Sequence, residues 1–298
     1  MQRSYWIILL VVGILVIEII AGRHRKVHHR QDYFIIASTL IGGQLTRPIV
    51  ALITATLIGL ALPAYKDALA SVTFWLTFPV LFVVAEFFQY WIHRMAHDSN
   101  RHKLLYGMHR THHSAPYVNV TLMYRSNLVW PLVHSYTWTT AIAFYLGAYG
   151  AATAFYLTML SWNALTHSDF RWDEMMARHL PFGDKILWAM ELVLVTPRIH
   201  HTHHGFGKDG KAYRNFCTML SIYDRMFGTL HIPEGRPRFY GLPGGEHHWF
   251  RQMLYPLVPL GEPLKLRDKR DNHIAPHPEA SPASGEQASL AGSAREAA

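Results

Sequence analysis

The sequence predicts an all-α integral membrane protein: a bundle of about 4–5 transmembrane helices with interfacial helices and a cytoplasmic, histidine-rich cap. Three observations carry this expectation. Half of the 298 residues are apolar and only 16% are charged, which is unlike an ordinary soluble domain. Runs without a single Asp, Glu, Lys or Arg recur at 4–17, 48–65, 68–85 and, over 43 residues, 126–168. Histidines fill four of the five positions from 200 to 204 and cluster twice more upstream.

Residues 1–30 read as an N-terminal transmembrane anchor and a basic loop. An apolar run behind Arg3 also suits a signal peptide, but a dense basic cluster follows it instead of a small-x-small cleavage site, so the segment is expected to be retained. Arg23, Arg25, Lys26 and Arg30 then mark the cytoplasmic side. Residues 31–92 are expected to hold an interfacial helix at 33–46, whose 14 residues are too few to span, and transmembrane helices at 48–65 and 70–92. The long uncharged run divides into spans at 127–146 and 149–167, with Gly147-Ala-Tyr-Gly150 as the turn between them. This count leaves two cytoplasmic blocks, 93–125 and everything after 168. The first carries Arg94, Arg101, Lys103, Arg110 and Arg125, while the outer loops hold little positive charge besides Lys66. The formal charge of +8 is thus explained by topology and contact with membrane lipids rather than by nucleic acid. Residues 233–260 form a cytoplasmic C-terminal segment, and 261–298, rich in Pro, Ser, Ala and Glu, a disordered tail. Cys217 is the only cysteine, so disulfides and thiolate clusters are excluded, in keeping with a working face in a reducing compartment.

The histidines fall into three groups: His93 and His97; His109, His112 and His113; and His200, His201, His203 and His204. Spacings of i, i+3 and i+4 put side chains on one helix face, so each group can aim two or three imidazoles at one point. With 21 histidines in the chain, H-x-x-H-H is expected by chance about 0.1 times, and it occurs twice. All three groups lie on the same side of the membrane by the charge count. Neutral imidazole is a common metal ligand, and eight or more exceed the three or four that one zinc takes, so two metals are expected, each with an open position. Ligand type alone leaves iron, zinc, copper and nickel open.

Five stretches carry a family resemblance: EFFQYWIHRMAHD (86–98), LYGMHRTHHSAPYVNVTLMYRS (105–126), LTHSD (165–169), VTPRIHHTHHG (195–205) and RNFCTMLSIYDRMFGTL (214–230). Together they resemble the integral-membrane fatty acid hydroxylase and sterol desaturase superfamily, over a catalytic domain at 75–232, and are most similar in motif to its alkylglycerol monooxygenase branch. The resemblance implies metal ligands at His93, His97, His109, His112, His113, His200, His203 and His204, with His167 as a ninth. It leaves out His201, where relatives often lack histidine. It implies two iron ions, with zinc as an alternative occupant in purified protein. The activity implied is that of a membrane-bound, O2-dependent monooxygenase. Its reaction would be hydroxylation, ether-lipid oxidation or desaturation of a fatty-acyl, alkyl or sterol-like lipid. No haem-binding or flavin segment is recognisable, so electrons are expected from a separate electron-transfer partner or, if the likeness to that branch extends so far, from a reduced pterin.

Other residues are weighed individually. Glu86 lies two turns before His93 inside an apolar span, where a carboxylate is functional by default, so a metal-proximal role is set against helix pairing. Asn119 matches a family position and joins Glu86 as a candidate catalytic residue. Arg125 matches one also, or simply marks the membrane boundary. Asp98 and Asp169 adjoin ligand histidines and are candidates to accept their second N–H, against ordinary surface charge. His179 is a weaker candidate ligand, and His134 reads as a core histidine. Gly205-Phe-Gly-Lys-Asp-Gly210 spells a dinucleotide fingerprint but follows no strand of a βαβ unit, so it reads as a flexible loop. Two other classes compete with the oxygenase. A membrane zinc-dependent hydrolase would carry H-E-x-x-H, which is absent; a metal-binding or transport protein would set its ligands at mid-bilayer across several spans.

Overall fold

The computed structural model describes residues 2–242 and 245–264. From residue 265 on, the expected polar tail lies outside the described residues. Within them are eleven α-helices, and the only strands are β1 (Gly205–Phe206) and β2 (Phe239–Tyr240), which pair antiparallel.

α1 (Gln2–Ile20) packs on α6 (Tyr149–His167), and α2 (Arg30–Ala61) lies along α5 (Ser135–Tyr145). α3 (Phe74–Ala96), α5 and α6 pack on one another around Phe82, Ala85, Tyr136, Phe155 and Met159. The turns joining α2 to α3 and α5 to α6 meet at one end of this bundle: Asp67 N–H donates to Tyr145 O at 3.1 Å and Leu69 N–H to Leu146 O at 2.7 Å. Gly147 makes that contact with φ +85°, where a Cβ would lie 3.0 Å from Asp67 Cα, so the turn needs glycine twice over. Ala143, Ala148, Ala151 and Ala152 are buried around it, small enough to let the helices close up.

The opposite end is the cap. α4 (Lys103–His113) follows α3; α7 (Trp172–His179), α8 (Gly183–Glu191) and α9 (Pro197–His204) follow α6; α10 (Ile222–Met226) and α11 (Trp249–Leu254) complete it. Pro197 at the first turn of α9 needs no N–H there. Glu191 accepts from Thr196 Oγ1 and Arg198 Nε, both at 2.6 Å, and so ties α8 to the start of α9.

Two expected segments differ from those observed. The interfacial helix at 33–46 and the span at 48–65 are one helix of 32 residues that runs through Pro48. A proline removes one backbone donor, and the apolar pattern on both sides is enough to carry the helix past it. The expected span at 127–146 is broken: a 3-10 turn at Trp130–Leu132 precedes α5, which has 11 residues. Asn127 is the cause. Its Oδ1 accepts from the N–H groups of Val129 and Trp130 at 2.7 and 3.1 Å, while its amide donates to Gln252 O and Tyr255 O at 2.7 and 2.8 Å. By length and composition two helices among the described residues, Arg30–Ala61 and Phe74–Ala96, can each cross a membrane, fewer than the 4–5 expected. The fingerprint-like loop is a tight return between β1 and Lys211, whose N–H donates to Thr202 O at 2.8 Å; a Cβ on Gly210 would strike the Gly205 backbone at 2.1 Å, so close approach explains Gly205 and Gly210, while Gly207 takes φ +80°.

Candidate metal centre

Four helices deliver nine imidazoles to one place in the cap. The end of α3 contributes His93 and His97, α4 His109, His112 and His113, the last residue of α6 His167, and α9 His200, His203 and His204. They sort into two sets: His93, His97, His109, His113 and His203, and His112, His167, His200 and His204. Within each set the candidate ligand atoms lie within 4.8 Å of one another. The helical spacing thus does not keep each box to one set, since α4 and α9 serve both. The sets abut, with the His113 and His204 rings stacked at 4.2 Å.

The nitrogens that converge are the Nε2 atoms. His93 to His97 is 3.2 Å, His93 to His203 3.1 Å and His109 to His113 3.1 Å; in the second set His112 to His167 is 3.1 Å, His167 to His200 2.9 Å and His200 to His204 3.1 Å. Four of the Nδ1 atoms face away to main-chain carbonyls, while that of His200 is buried without a partner among the described residues. His93 donates to Phe216 O at 2.6 Å and His203 to Arg214 O at 2.8 Å; in the second set His112 donates to Arg125 O at 3.2 Å and His167 to Asn163 O at 2.8 Å. A proton fixed on Nδ1 leaves the Nε2 lone pair free, which is the tautomer a metal ligand needs. Lone pairs turned on one another across about 3 Å repel unless a cation lies among them, and about 3 Å is the edge expected around an ion with bonds of about 2.1 Å. The donor set therefore fits two ions.

Burial favours the neutral rings. His109, His112, His113, His200, His203 and His204 are all held well below the ordinary histidine pKa of 6.5, first by desolvation and then by neighbouring imidazoles. With the folded value depressed, the stability these rings contribute is complete above about pH 6.5 and falls as pH drops below it; metal binding, which competes with the same protons, follows the same sign. Metal is thus expected to stay bound on dialysis at about pH 7.5 and to be lost, with a lower unfolding temperature, at about pH 5. Metal analysis of the dialysed protein checks this, and retention at the lower pH would contradict it.

Opening onto the centre is a cavity of about 380 Å³, lined by His93, His109, His112, His167 and His200 at one end and otherwise mainly by apolar and aromatic side chains of α2, α5 and α6. Trp130 stacks on His109 at 5.0 Å and lines its wall. The cavity is within the size range of sites for small apolar ligands.

The structure does not bring Glu86 or Asn119 into either histidine set. Glu86 is buried and accepts from the Tyr136 hydroxyl and from Met219 N–H and Leu220 N–H at 2.9 and 2.7 Å, which fastens α3 to α5 and to the segment after Cys217. Asn119 Oδ1 accepts from Thr121 N–H at 3.1 Å and Thr121 Oγ1 at 2.6 Å, capping the 3-10 turn Val120–Tyr124. Asp98 accepts from Asn100 and Arg101 N–H in its own turn, and Asp169 pairs with Arg23 and Arg171; the carbonyls named above take the histidine protons. His179 is exposed and outside both sets, and His201 is buried against Arg236 Nη1 at 2.6 Å, also outside.

Three supporting residues were passed over or undervalued in the sequence. Glu18, buried at the end of α1, accepts from the N–H groups of Val120 and Asp169 at 3.1 and 2.6 Å and contacts His24 Nε2 at 2.8 Å. A lone carboxylate closing an apolar run was its signal. Arg125 is fully buried, paired with Asp32 and, at 2.6 Å, with Glu246, while its own carbonyl orients His112. Asp224 accepts from Phe216 and Cys217 N–H, both at 2.8 Å, and so shapes the strip whose Phe216 carbonyl orients His93.

A helical protein whose cap turns nine imidazoles on two adjoining points, at the mouth of an apolar cavity, has the make-up of a histidine-box metalloprotein. The family model for fatty acid hydroxylase matches residues 78–229, and the chain belongs to that family of membrane-bound oxidoreductases. It is 30% identical to alkylglycerol monooxygenase of Xenopus tropicalis over 174 residues, 57% of this chain and 33% of the relative. The figures are 29% over 191 residues for that of Danio rerio, 61% and 36% of the two chains, and 28% over 164 residues for that of Homo sapiens, 54% and 32%. The match thus spans about a third of the length of these curated relatives. No solved structure matches.

Proposed function

We propose that the chain is a membrane-embedded, dinuclear iron oxygenase that oxidises a lipid with O2 by hydroxylation, ether-lipid oxidation or desaturation. The observation that carries the reading is the pair of buried imidazole sets at the head of an apolar cavity. His93, His97, His109, His113 and His203 would hold one ion and His112, His167, His200 and His204 the other. Iron there would supply the O2 reduction and hydrogen abstraction that no acid-base group can perform on an unactivated C–H bond. In the hydroxylation case one oxygen atom enters the lipid and the other leaves as water, with two electrons and two protons from outside the chain.

The protein's own part is positioning. Carbonyls of Arg125, Asn163, Arg214 and Phe216 hold four ligands in one tautomer, and the aromatic wall with Trp130 keeps water from a lipid carbon beside them. Donors remain as the sequence suggested: a separate electron-transfer protein or, by likeness to the alkylglycerol monooxygenases, a reduced pterin. Isotope analysis of lipids from cells supplied with 18O2 tests the reading. Label in a lipid product formed with this chain and absent with an inactive histidine variant supports oxygenation, and a new unlabelled C=C bond supports desaturation, in which both oxygen atoms leave as water, whereas unlabelled hydrolysis products would favour a zinc-dependent hydrolase.

Exposed apolar side chains support membrane embedding. Ile41, Leu45, Leu52 and Leu60 of α2 and Trp75, Leu76 and Val80 of α3 all face outward, an apolar surface too large for water. We read α1, α2, α3, α5 and α6 as the embedded bundle, the histidine cap at the cytoplasmic face and 75–232 as the catalytic unit, flanked by 1–30, 31–92, 233–260 and the tail. A single α2 crossing keeps the parity of the charge count. A reporter fused after Gly261 is therefore expected in the cytoplasm and one inserted at 147–150 on the far side; a translocated C-terminal fusion would reverse this topology.

A further inference from the structure

The cavity is lined by a cation as well as by the candidate metal ligands. Arg47 sits midway along α2, one residue before Pro48, and lines the cavity together with Pro48 and Ala51. Three other cations withdrawn from solvent are matched by carboxylates: Arg125 by Asp32 and Glu246, Arg198 by Glu191, Arg236 by Asp173 and Glu174. Arg47, half-buried, has no carboxylate or hydrogen-bond partner among the described residues. In the lining of the same cavity, the buried Thr140 hydroxyl also lacks a partner. A guanidinium within an apolar span is costly unless something pairs with it, and a ligand is the one kind of partner a cavity can admit.

We propose that the lipid taken by this cavity carries an anionic oxygen group, a carboxylate or a phosphate ester, which Arg47 holds. This rests on the lipid-oxygenase reading and narrows its substrate class: an uncharged headgroup would leave Arg47 unpaired.

The test uses full-length, metal-loaded protein in neutral detergent and three sixteen-carbon probes brominated at the far end: a carboxylate, a phosphate monoester and an alcohol. Bromine inside the cavity quenches Trp130, which lines it, and Trp130→Phe isolates that signal. At least one anionic probe is expected to bind about tenfold or more tighter than the alcohol, with the stronger of the two identifying the headgroup. Arg47→Gln should erase the preference while leaving metal content unchanged, and Arg47→Lys should retain much of it. Equal binding of all three by the unaltered protein, or a preference surviving Arg47→Gln, overturns the proposal; O2 uptake stimulated by the alcohol would then leave the oxygenase reading standing. If no probe quenches Trp130 and none stimulates O2 uptake, the cavity is not the lipid site and both fall together.

Discussion

Replacing His203 with alanine is expected to lower lipid oxidation by more than about 100-fold, since even the residues that merely orient a metal ligand are worth about 10–100-fold. His203 Nε2 faces His93 at 3.1 Å and its Nδ1 proton is fixed on Arg214 O, so alanine removes a preset donor and leaves the His93 lone pair without a shared ion. His167→Ala should do the same through the second set, because the chemistry needs both ions. His201→Ala is the informative contrast. That ring lies between the two H-x-x-H-H neighbours in sequence but packs on Arg236, so turnover should survive with at most a modest loss of stability. Turnover assays of the three variants check this. A fully active His203→Ala protein would remove the basis for the proposed centre.

Arg125→Met is expected to give the largest loss of stability, about 3–5 kcal/mol, because it strips the cation from a buried group and leaves Asp32 without its partner. Glu246, at 21% exposure, can be rehydrated; Asp32, at 1%, cannot. The same substitution loosens the strip whose carbonyl orients His112, so the four-histidine set should lose metal before the five-histidine set does. Denaturation midpoints in detergent, with metal content followed in parallel, measure both effects. A change below about 1 kcal/mol would mean that water reaches Asp32 and that the ion pair is not a structural tie.

The histidines were legible because their signal is local. A spacing of i, i+3 and i+4 survives any tertiary arrangement, and all nine residues singled out as ligands are brought together. Their division into two sets was not legible, because it depends on how α4 and α9 face each other. The same contrast explains α2 and 127–146. Pro48 and Arg47 look like a break in an apolar pattern, yet neither stops a helix that has apolar sequence on both sides. The run 127–146 looks like a span, but Asn127 is held by carbonyls more than a hundred residues away and ends the helical pattern there. Glu86 stands out in the sequence by its spacing from His93, while its partners Met219 and Leu220 lie more than 130 residues away along the chain. Glu18, Asp32 and Arg125 are of this kind too, each meaningful only through a contact remote in sequence.

Metal content per chain tests the central claim most directly. Full-length protein purified at neutral pH and analysed by elemental mass spectrometry should hold about two ions per chain, and His203→Ala about one, because the set of His112, His167, His200 and His204 remains whole. One ion or none in the unaltered protein, under conditions where added iron or zinc is in excess, would contradict a dinuclear centre.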